Sequence, residues 1–86
     1  MTSWHIDEPM ATYRVRAIGA DFEAGDEGCE YLRAEDAKCA AVKAGIAIAT
    51  DEIGGGKESS IVEVHVLDRE QAIGRFVVCL SVAPLR

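Results

Sequence analysis

The sequence predicts an α+β fold, with one helix packed on a three- to four-stranded antiparallel sheet in the order β-(β)-α-β-β. Residues 34–53 are rich in Ala and place apolar side chains at helical spacing, whereas the other apolar segments alternate with a period of two. Turn-forming residues separate these segments. The 86 residues correspond to a single α+β domain over residues 11–86, preceded by a mobile N-terminal arm over residues 1–10.

The N-terminal arm contains the one Trp of the chain, Trp4, and is interrupted by Pro9. It has neither helix nor strand periodicity, which predicts a mobile segment. Because an exposed Trp is unusual in such a segment, we expect Trp4 either to dock on the domain or to contact a partner, and docking is favoured.

The first alternating segment, TYRVRAI, predicts a half-buried strand with Arg14 and Arg16 on its polar face. Two neighbouring guanidinium groups can bind a carboxylate or a phosphate. A solvated face is the favoured interpretation, because exposed charges often contribute little, and Glu63 or Asp68 are candidate ionic partners. Phe22, in the turn-rich segment that follows, predicts a short return strand that closes a hairpin.

The predicted helix, residues 34–53, is followed by three Gly, which favour a left-handed residue at its C-terminal cap. One arc of its helical wheel is apolar and is expected to face the core: Cys39, Val42, Ile46, Ala49 and Ile53. The opposite arc carries mainly small residues: Ala37, Ala40, Ala44, Ala47 and Ile48.

The small residues of the second arc have two interpretations. The alanines either supply helix propensity alone, or they let a second element, such as a symmetry-related helix, approach closely. The first interpretation is favoured, and Ile48, a bulky apolar residue within this arc, motivates the second. Under the second interpretation, the candidate interaction surface consists of Trp4, Ala40, Ala44, Ala47 and Ile48.

The C-terminal part predicts a hairpin of strands 60–67 and 75–82, joined through residues 68–74. Alternation assigns these side chains to the core: Val62, Val64, Val66, Phe76, Val78, Leu80 and Val82. His65 lies on the outer face and is a candidate general base, because the pKa of imidazole lies near neutrality. The sequence places no nucleophile or carboxylate beside it, which favours the interpretation of His65 as an ordinary surface or cross-strand residue.

Composition excludes some partners and favours one compartment. The net charge of −6 and the pI near 4.7 disfavour binding to nucleic acids and to anionic membranes, both of which attract clustered Lys and Arg. We therefore expect no nucleic-acid partner and no membrane association. The N-terminus lacks the features of a signal peptide, so a cytoplasmic location is expected.

No metal, cofactor or catalytic residue is predicted. The spacing of Cys29, Cys39 and Cys79 lacks the C-x2-C elements of zinc sites and indicates buried thiols in a reducing compartment. The acidic segment 19–28 lacks the spacing of a calcium-binding EF-hand. The loop GGGKES lacks the leading Gly and the hydroxyl residue after Lys that a P-loop requires.

The chain resembles a family of short bacterial proteins known only as a domain of unknown function. The resemblance spans residues 13–82 and depends on the strand at 13–16, the Asp26-Glu27-Gly28 element, the Ala-rich helix and the C-terminal hairpin. The matching helix and hairpin residues are Glu35, Ala37, Ala41, Val42, Ala44, Val64, Val66 and Asp68. The family's Leu-Pro-Asp lead into the helix is replaced by Leu32-Arg33-Ala34, and its hairpin Gly by Gln71.

This resemblance implies a bacterial protein with one helix on a small sheet, and it implies no activity because the family has none established. A fainter likeness connects the chain to HicB-type antitoxins, which place a comparable helix against a small antiparallel sheet. Those proteins often carry an added DNA-binding segment, which the 86 residues lack.

The sequence predicts a small non-catalytic interaction domain whose partner is another protein or a second copy of the chain. An antitoxin-like or regulatory protein is a specific form of this hypothesis. The alternative is a small-molecule binder or an enzyme that uses Arg14, Arg16 and His65 on the outer sheet face.

Overall fold

The computed structural model describes residues 11–85 and contains one helix and five strands. The elements are β1 (Ala11–Ile18), β2 (Glu23–Gly25), β3 (Cys29–Tyr31), α1 (Ala34–Gly54), β4 (Ser59–Asp68) and β5 (Gln71–Ser81). The sheet order is β2-β1-β4-β5, all pairs are antiparallel, and β3 pairs with β1. The predicted α+β class is confirmed. The predicted N-terminal arm, with Trp4, lies outside the described residues.

Strands β2 and β3 form one interrupted partner of β1. Strand β2 pairs with the C-terminal half of β1 and β3 with its N-terminal half, and one extra residue between them shifts the register. At this break the Val15 N–H donates to Asp26 Oδ1 at 3.0 Å, and the Asp26 N–H donates to the Val15 carbonyl at 3.1 Å. The Asp26 carboxylate thus replaces a backbone carbonyl, so both polar backbone groups of Val15 remain hydrogen bonded.

The core lies between α1 and the inner face of the sheet, and the sheet supplies its bulk. Val62, Val64 and Val66 are its largest fully buried side chains, as their alternation predicts. Tyr13 and Ala17 of β1 are also buried, and Phe76, Val78 and Leu80 of β5 pack against this cluster. Val82, which was also predicted to lie in the core, is one residue beyond the end of β5 and is 54% exposed.

The helix contributes small residues to the core: Ala37, Ala41, Gly45 and Ala49 are its buried positions. A Cβ added to Gly45 would lie 2.9 Å from Val78 Cγ2 and 3.1 Å from Val64 Cγ1. Since the valines already fill the layer above the sheet, a bulky helix residue has no room there. The predicted core arc was therefore wrong except for Ala49: Cys39 and Ile46 are exposed, and Val42 and Ile53 are half-buried.

Helix α1 ends one residue later than predicted, at Gly54, and without a left-handed cap. The cap residue Gly55 has φ −85°, and the left-handed residue is Gly56, with φ +112°. Glu52 in the last turn opposes the helix dipole, but its carboxylate accepts a hydrogen bond from the hydroxyl of the buried Ser60. This contact ties the end of the helix to the beginning of β4.

Strands β4 and β5 are joined by two residues rather than by the predicted loop over residues 68–74. Arg69 and Glu70 form this turn with φ +55° and +71°, and both strands extend to its ends. Two positive φ values are typical of a type I′ turn, whose twist matches that of the ribbon. The period-two pattern of apolar side chains is interrupted near this turn because the β4–β5 pairing shifts register between Val66 and Leu67.

Candidate functional site

The outer face of the sheet brings together the three residues that the sequence proposed as a ligand site. Arg16 lies opposite His65 in the β1–β4 register, and Arg14 lies two residues away on the same face of β1. Arg75 of β5 is the cross-strand neighbour of His65 on its other side. Four basic or titratable side chains are therefore clustered on three adjacent strands.

Acidic side chains pair with three members of this cluster. Arg14 Nη1 lies 3.0 Å from Glu70 Oε2, and Arg16 is ion-paired with Glu23. His65 Nε2 lies 3.0 Å from Glu63 Oε1. The arginine partners therefore come from the turn and from β2, and the expectation of Glu63 or Asp68 was wrong. Sequence reasoning does not identify Glu70 as a partner, because it predicts a loop over residues 68–74 rather than the two-residue turn that presents this side chain.

A shallow depression of about 440 Å³ lies between the two arginines. It is lined by Arg14, Val15, Arg16, Glu23, Ala24, Gly25, Leu67 and Glu70. His65 does not line it. The two guanidinium groups and the two carboxylates give this depression no net charge, which weakens the attraction for an anion.

The residues of the predicted interaction surface on α1 do not share one environment. Ala40 and Ala44 line a depression of about 280 Å³ on the β3 side of the helix, together with Tyr31. Ile48 is half-buried against the core, and Ala47 is exposed. Trp4 lies outside the described residues. The structure therefore separates Ile48 from the alanines it was grouped with.

Tyr31 forms one wall of this second depression and packs against Tyr13, with ring centroids 6.2 Å apart. Burial raises the pKa of the Tyr31 phenol above its usual value, and the nearby Cys29 and Asp26 raise it further. Tyr31 is therefore a neutral phenol at physiological pH and supplies no base.

All three cysteines are exposed free thiols, so the prediction of buried thiols was wrong. Cys39 lies on α1 and Cys79 on β5, both at positions that the fold leaves uncovered. Within residues 11–85, no three His, Cys, Asp or Glu side chains form a group that could hold a metal ion. Over the same residues, no helix is long and apolar enough to cross a membrane.

The feature that the sequence missed is the free edge of β5. The Val82 N–H donates to the Glu58 carbonyl at 2.9 Å, which continues the β4–β5 register. Hydrogen-bonded and non-hydrogen-bonded pairs alternate in an antiparallel ladder. Ser81 and every second residue before it therefore direct their backbone N–H and C=O groups away from β4. We call these outward-directed backbone groups the β5 edge; they belong to Arg75, Val77, Cys79 and Ser81.

Strand β5 has few of the features that protect an edge strand. It is eleven residues long, and among residues 11–85 no strand pairs with its outer side. It contains no Asp, Glu, Lys or Pro, and its one charged residue is Arg75. Its single register shift lies near the turn, so residues 75–81 remain regular. Edge strands with these properties are templates for pairing with another strand.

Exposed apolar side chains border the β5 edge on both faces of the sheet. On the outer face, Val77 is 58% exposed and Ile61 of the neighbouring β4 is 63% exposed. On the helix face, a groove of about 530 Å³ lies between α1 and β5. Its apolar lining is Cys39, Val42 and Phe76, and its charged lining is Glu35, Lys38 and Lys43. We call Cys39, Val42 and Ile46 the α1 stripe, and Ile46 is 49% exposed.

The chain was compared with protein-family models, with curated proteins and with solved structures, and none of the three comparisons finds a match.

Proposed function

We propose that this chain is a non-catalytic protein-interaction domain that adds an extended strand of its partner to β5. The observation that carries the proposal is the β5 edge, because its regular row of N–H and C=O groups has no partner among residues 11–85. In strand addition, backbone hydrogen bonds supply affinity, and pockets beside the strand supply specificity. The groove between α1 and β5 provides such a pocket.

The proposed partner is a protein, as the sequence predicts, but the proposed binding surface on this chain differs from the predicted one. The predicted surface on the alanine arc included Ile48, which packs partly against the core. The backbone groups of the β5 edge have no partner among residues 11–85, and Cys39 and Ile46 of the α1 stripe are exposed. An antitoxin-like or regulatory protein of bacterial origin is a specific form of this proposal. The resemblance to the uncharacterised bacterial family and to HicB-type antitoxins motivates that form.

Val77→Pro tests the proposal because it blocks the edge and spares the β4–β5 ladder. The Val77 N–H points away from β4, so Pro removes an outward donor and no bond of the ladder. Val77→Thr is the matched control, since it changes the side chain and keeps the backbone donor. Circular dichroism and thermal unfolding check that both variants fold.

The readouts are binding to an array of short extended peptides and hydrogen exchange at the amides of the β5 edge. We expect the wild type and Val77→Thr to bind peptides of the array, or to show slower hydrogen exchange at these amides as protein concentration rises. We expect neither result for Val77→Pro. A wild type that retains no peptide and shows no protection at any concentration contradicts the proposal. Hydrogen exchange keeps the test decisive if Val77→Pro does not fold.

The second candidate function is small-molecule binding at Arg14, Arg16 and His65, and the depression between the arginines favours it. A ligand anion would have to displace Glu23 and Glu70 from the two guanidinium groups. Titration calorimetry with inorganic phosphate, on the wild type and on a double variant Arg14→Ala, Arg16→Ala, tests this candidate. Equal heats for both proteins would remove it.

A further inference from the structure

We propose that the strand received by β5 is β5 of a second copy, so that the chain forms a two-fold symmetric dimer centred on Val78. This inference depends on the proposed function, because it names the partner of the same edge. It would join the two sheets into one continuous antiparallel sheet across the symmetry axis.

The register follows from the positions of the outward-directed backbone groups. An axis at Val78 places Val77 opposite Cys79 of the second copy and Arg75 opposite Ser81 of the second copy. All eight residues of the two β5 edges then take part in hydrogen-bonded pairs. An axis at Val77 would instead place Ser81 opposite Ile73, which lies beside the register shift, where the ladder is irregular.

The side chains of β5 are compatible with this pairing. On the helix face, Val78 meets Val78 of the second copy, and Phe76 meets Leu80. Cross-strand pairs of aromatic and aliphatic side chains stabilise antiparallel sheets. Arg75 faces a Ser rather than its own copy, so no like charges lie opposite each other. Strand β5 also carries no carboxylate, although the net charge of the chain is −6.

The α1 stripe lies at the height of the same axis. The close contact between Gly45 and Val78 places the middle of the helix beside the centre of the proposed pairing. A two-fold axis there brings Ile46 near Ile46 of the second copy, and Cys39 towards Ile53. Since α1 packs on β4 and β5, strand spacing places the two helix axes roughly 10–14 Å apart. Packed helices lie about 8–10 Å apart, so apolar side chains can fill the space between them.

Absolute mass in solution tests the dimer. We expect light scattering on a sizing column to give twice the chain mass for the wild type and for Val77→Thr, and the chain mass for Val77→Pro. A wild type that is monomeric up to millimolar concentration overturns this inference. A dimer that persists in a folded Val77→Pro overturns it as well, because the association would then occur elsewhere.

Disulfide cross-linking tests the register. The three exposed cysteines are first replaced by Ser, and Val78→Cys is then introduced and oxidised with copper phenanthroline. The axis makes residue 78 a non-hydrogen-bonded pair with Cα atoms about 4.5 Å apart, which is within the range of a disulfide. Leu80→Cys is the matched control, because its two copies lie four residues apart along the strands. Cross-linking at position 78 and its absence at position 80 are expected, and the reverse pattern overturns the register.

These measurements separate failure of the dimer from failure of the proposed function. A monomeric wild type that retains peptides, with Val77→Pro retaining none, overturns the dimer and supports strand addition from another protein. A monomeric wild type that retains no peptide and shows no amide protection overturns both.

Discussion

Gly45 shows how a single missing side chain sets the distance between α1 and the sheet. Its position allows the helix backbone to approach Val64 and Val78 more closely than an Ala residue would. In the helix interior a Gly costs about 1 kcal/mol relative to Ala, so this close approach offsets a local penalty. The glycine is therefore best explained by packing rather than by chain flexibility.

Gly45→Ala is expected to lower the free energy of unfolding by about 1 kcal/mol. Overpacking of a filled core costs about 1–3 kcal/mol, which exceeds the gain of about 1 kcal/mol in helix propensity. Urea denaturation measures the change. Gly54→Ala is the control, because a Cβ there meets no atom within 4 Å. Stabilisation at both positions would show that the helix can move away from the sheet at no cost.

Asp26 is the second residue with an individual structural role, because its carboxylate completes the hydrogen bonding of Val15. Asp26→Ala should lower the free energy of unfolding by about 1 kcal/mol, whereas Asp26→Asn keeps an acceptor and should recover most of that loss. Asp21→Ala, which removes only an exposed ion pair with Lys57, should cause little change. Thermal unfolding of the three variants makes the comparison, and equal losses for Ala and Asn would contradict this role.

At the scale of elements, the β4–β5 turn is the most strained connection in the described structure. Arg69 and Glu70 both have left-handed backbone conformations, which cost roughly 1–2 kcal/mol per residue outside Gly and Asn. The turn is retained because the long, well-paired strands on both sides determine its geometry.

Replacing this turn by Arg69→Asn with Glu70→Gly should raise the free energy of unfolding by about 1–2 kcal/mol, because Asn-Gly adopts a type I′ turn readily. The change also removes the exposed Arg14–Glu70 ion pair, which contributes at most a few tenths of a kcal/mol. Arg14→Ala isolates that small term as a control. Chemical denaturation that finds no stabilisation would show that the native turn is unstrained.

The strands were predictable from the sequence, whereas the orientation of the helix was not. Alternation identified the buried face of β4, because a one-residue slip would reverse every side chain. On α1 the apolar arc of Cys39, Val42 and Ile46 competed with an arc of small residues, and hydrophobicity alone favours the wrong one. The space above Val62, Val64 and Val66 determines which face of the helix packs on the sheet. That space is a property of the assembled sheet rather than of the helix sequence.

The candidate site was also only partly predictable. The period of two placed Arg14, Arg16 and His65 on one face, as the structure confirms. Their acidic partners and the β5 edge depend on strand order and on the length of the β4–β5 turn, which are long-range properties. The composition of residues 71–81 does contain one signal of an unprotected edge strand, because this segment has no Asp, Glu, Lys or Pro.

At the scale of the whole molecule, small size limits the stability that folding of the domain alone supplies. A chain of 86 residues buries only roughly 60–65% of the surface that its unfolded form exposes. Binding that favours the folded form stabilises it by mass action. The proposed dimer therefore predicts that the wild-type Tm rises with protein concentration and that the Tm of Val77→Pro does not. Scanning calorimetry over a hundred-fold range of concentration checks this, and parallel behaviour of the two proteins would contradict it.

The order of the strands also has a consequence for how the chain folds. Strands β4 and β5 are joined by two residues and follow α1 directly, so their contacts close short loops. Strand β1, however, reaches β4 only across a loop that contains β2, β3 and the whole helix, and closing a loop of that length costs more entropy. We therefore expect β1 to join last. Until it does, the ribbon of β4 and β5 has two free edges, so a partly folded chain exposes more unpaired strand edge than the native protein and is more prone to aggregate.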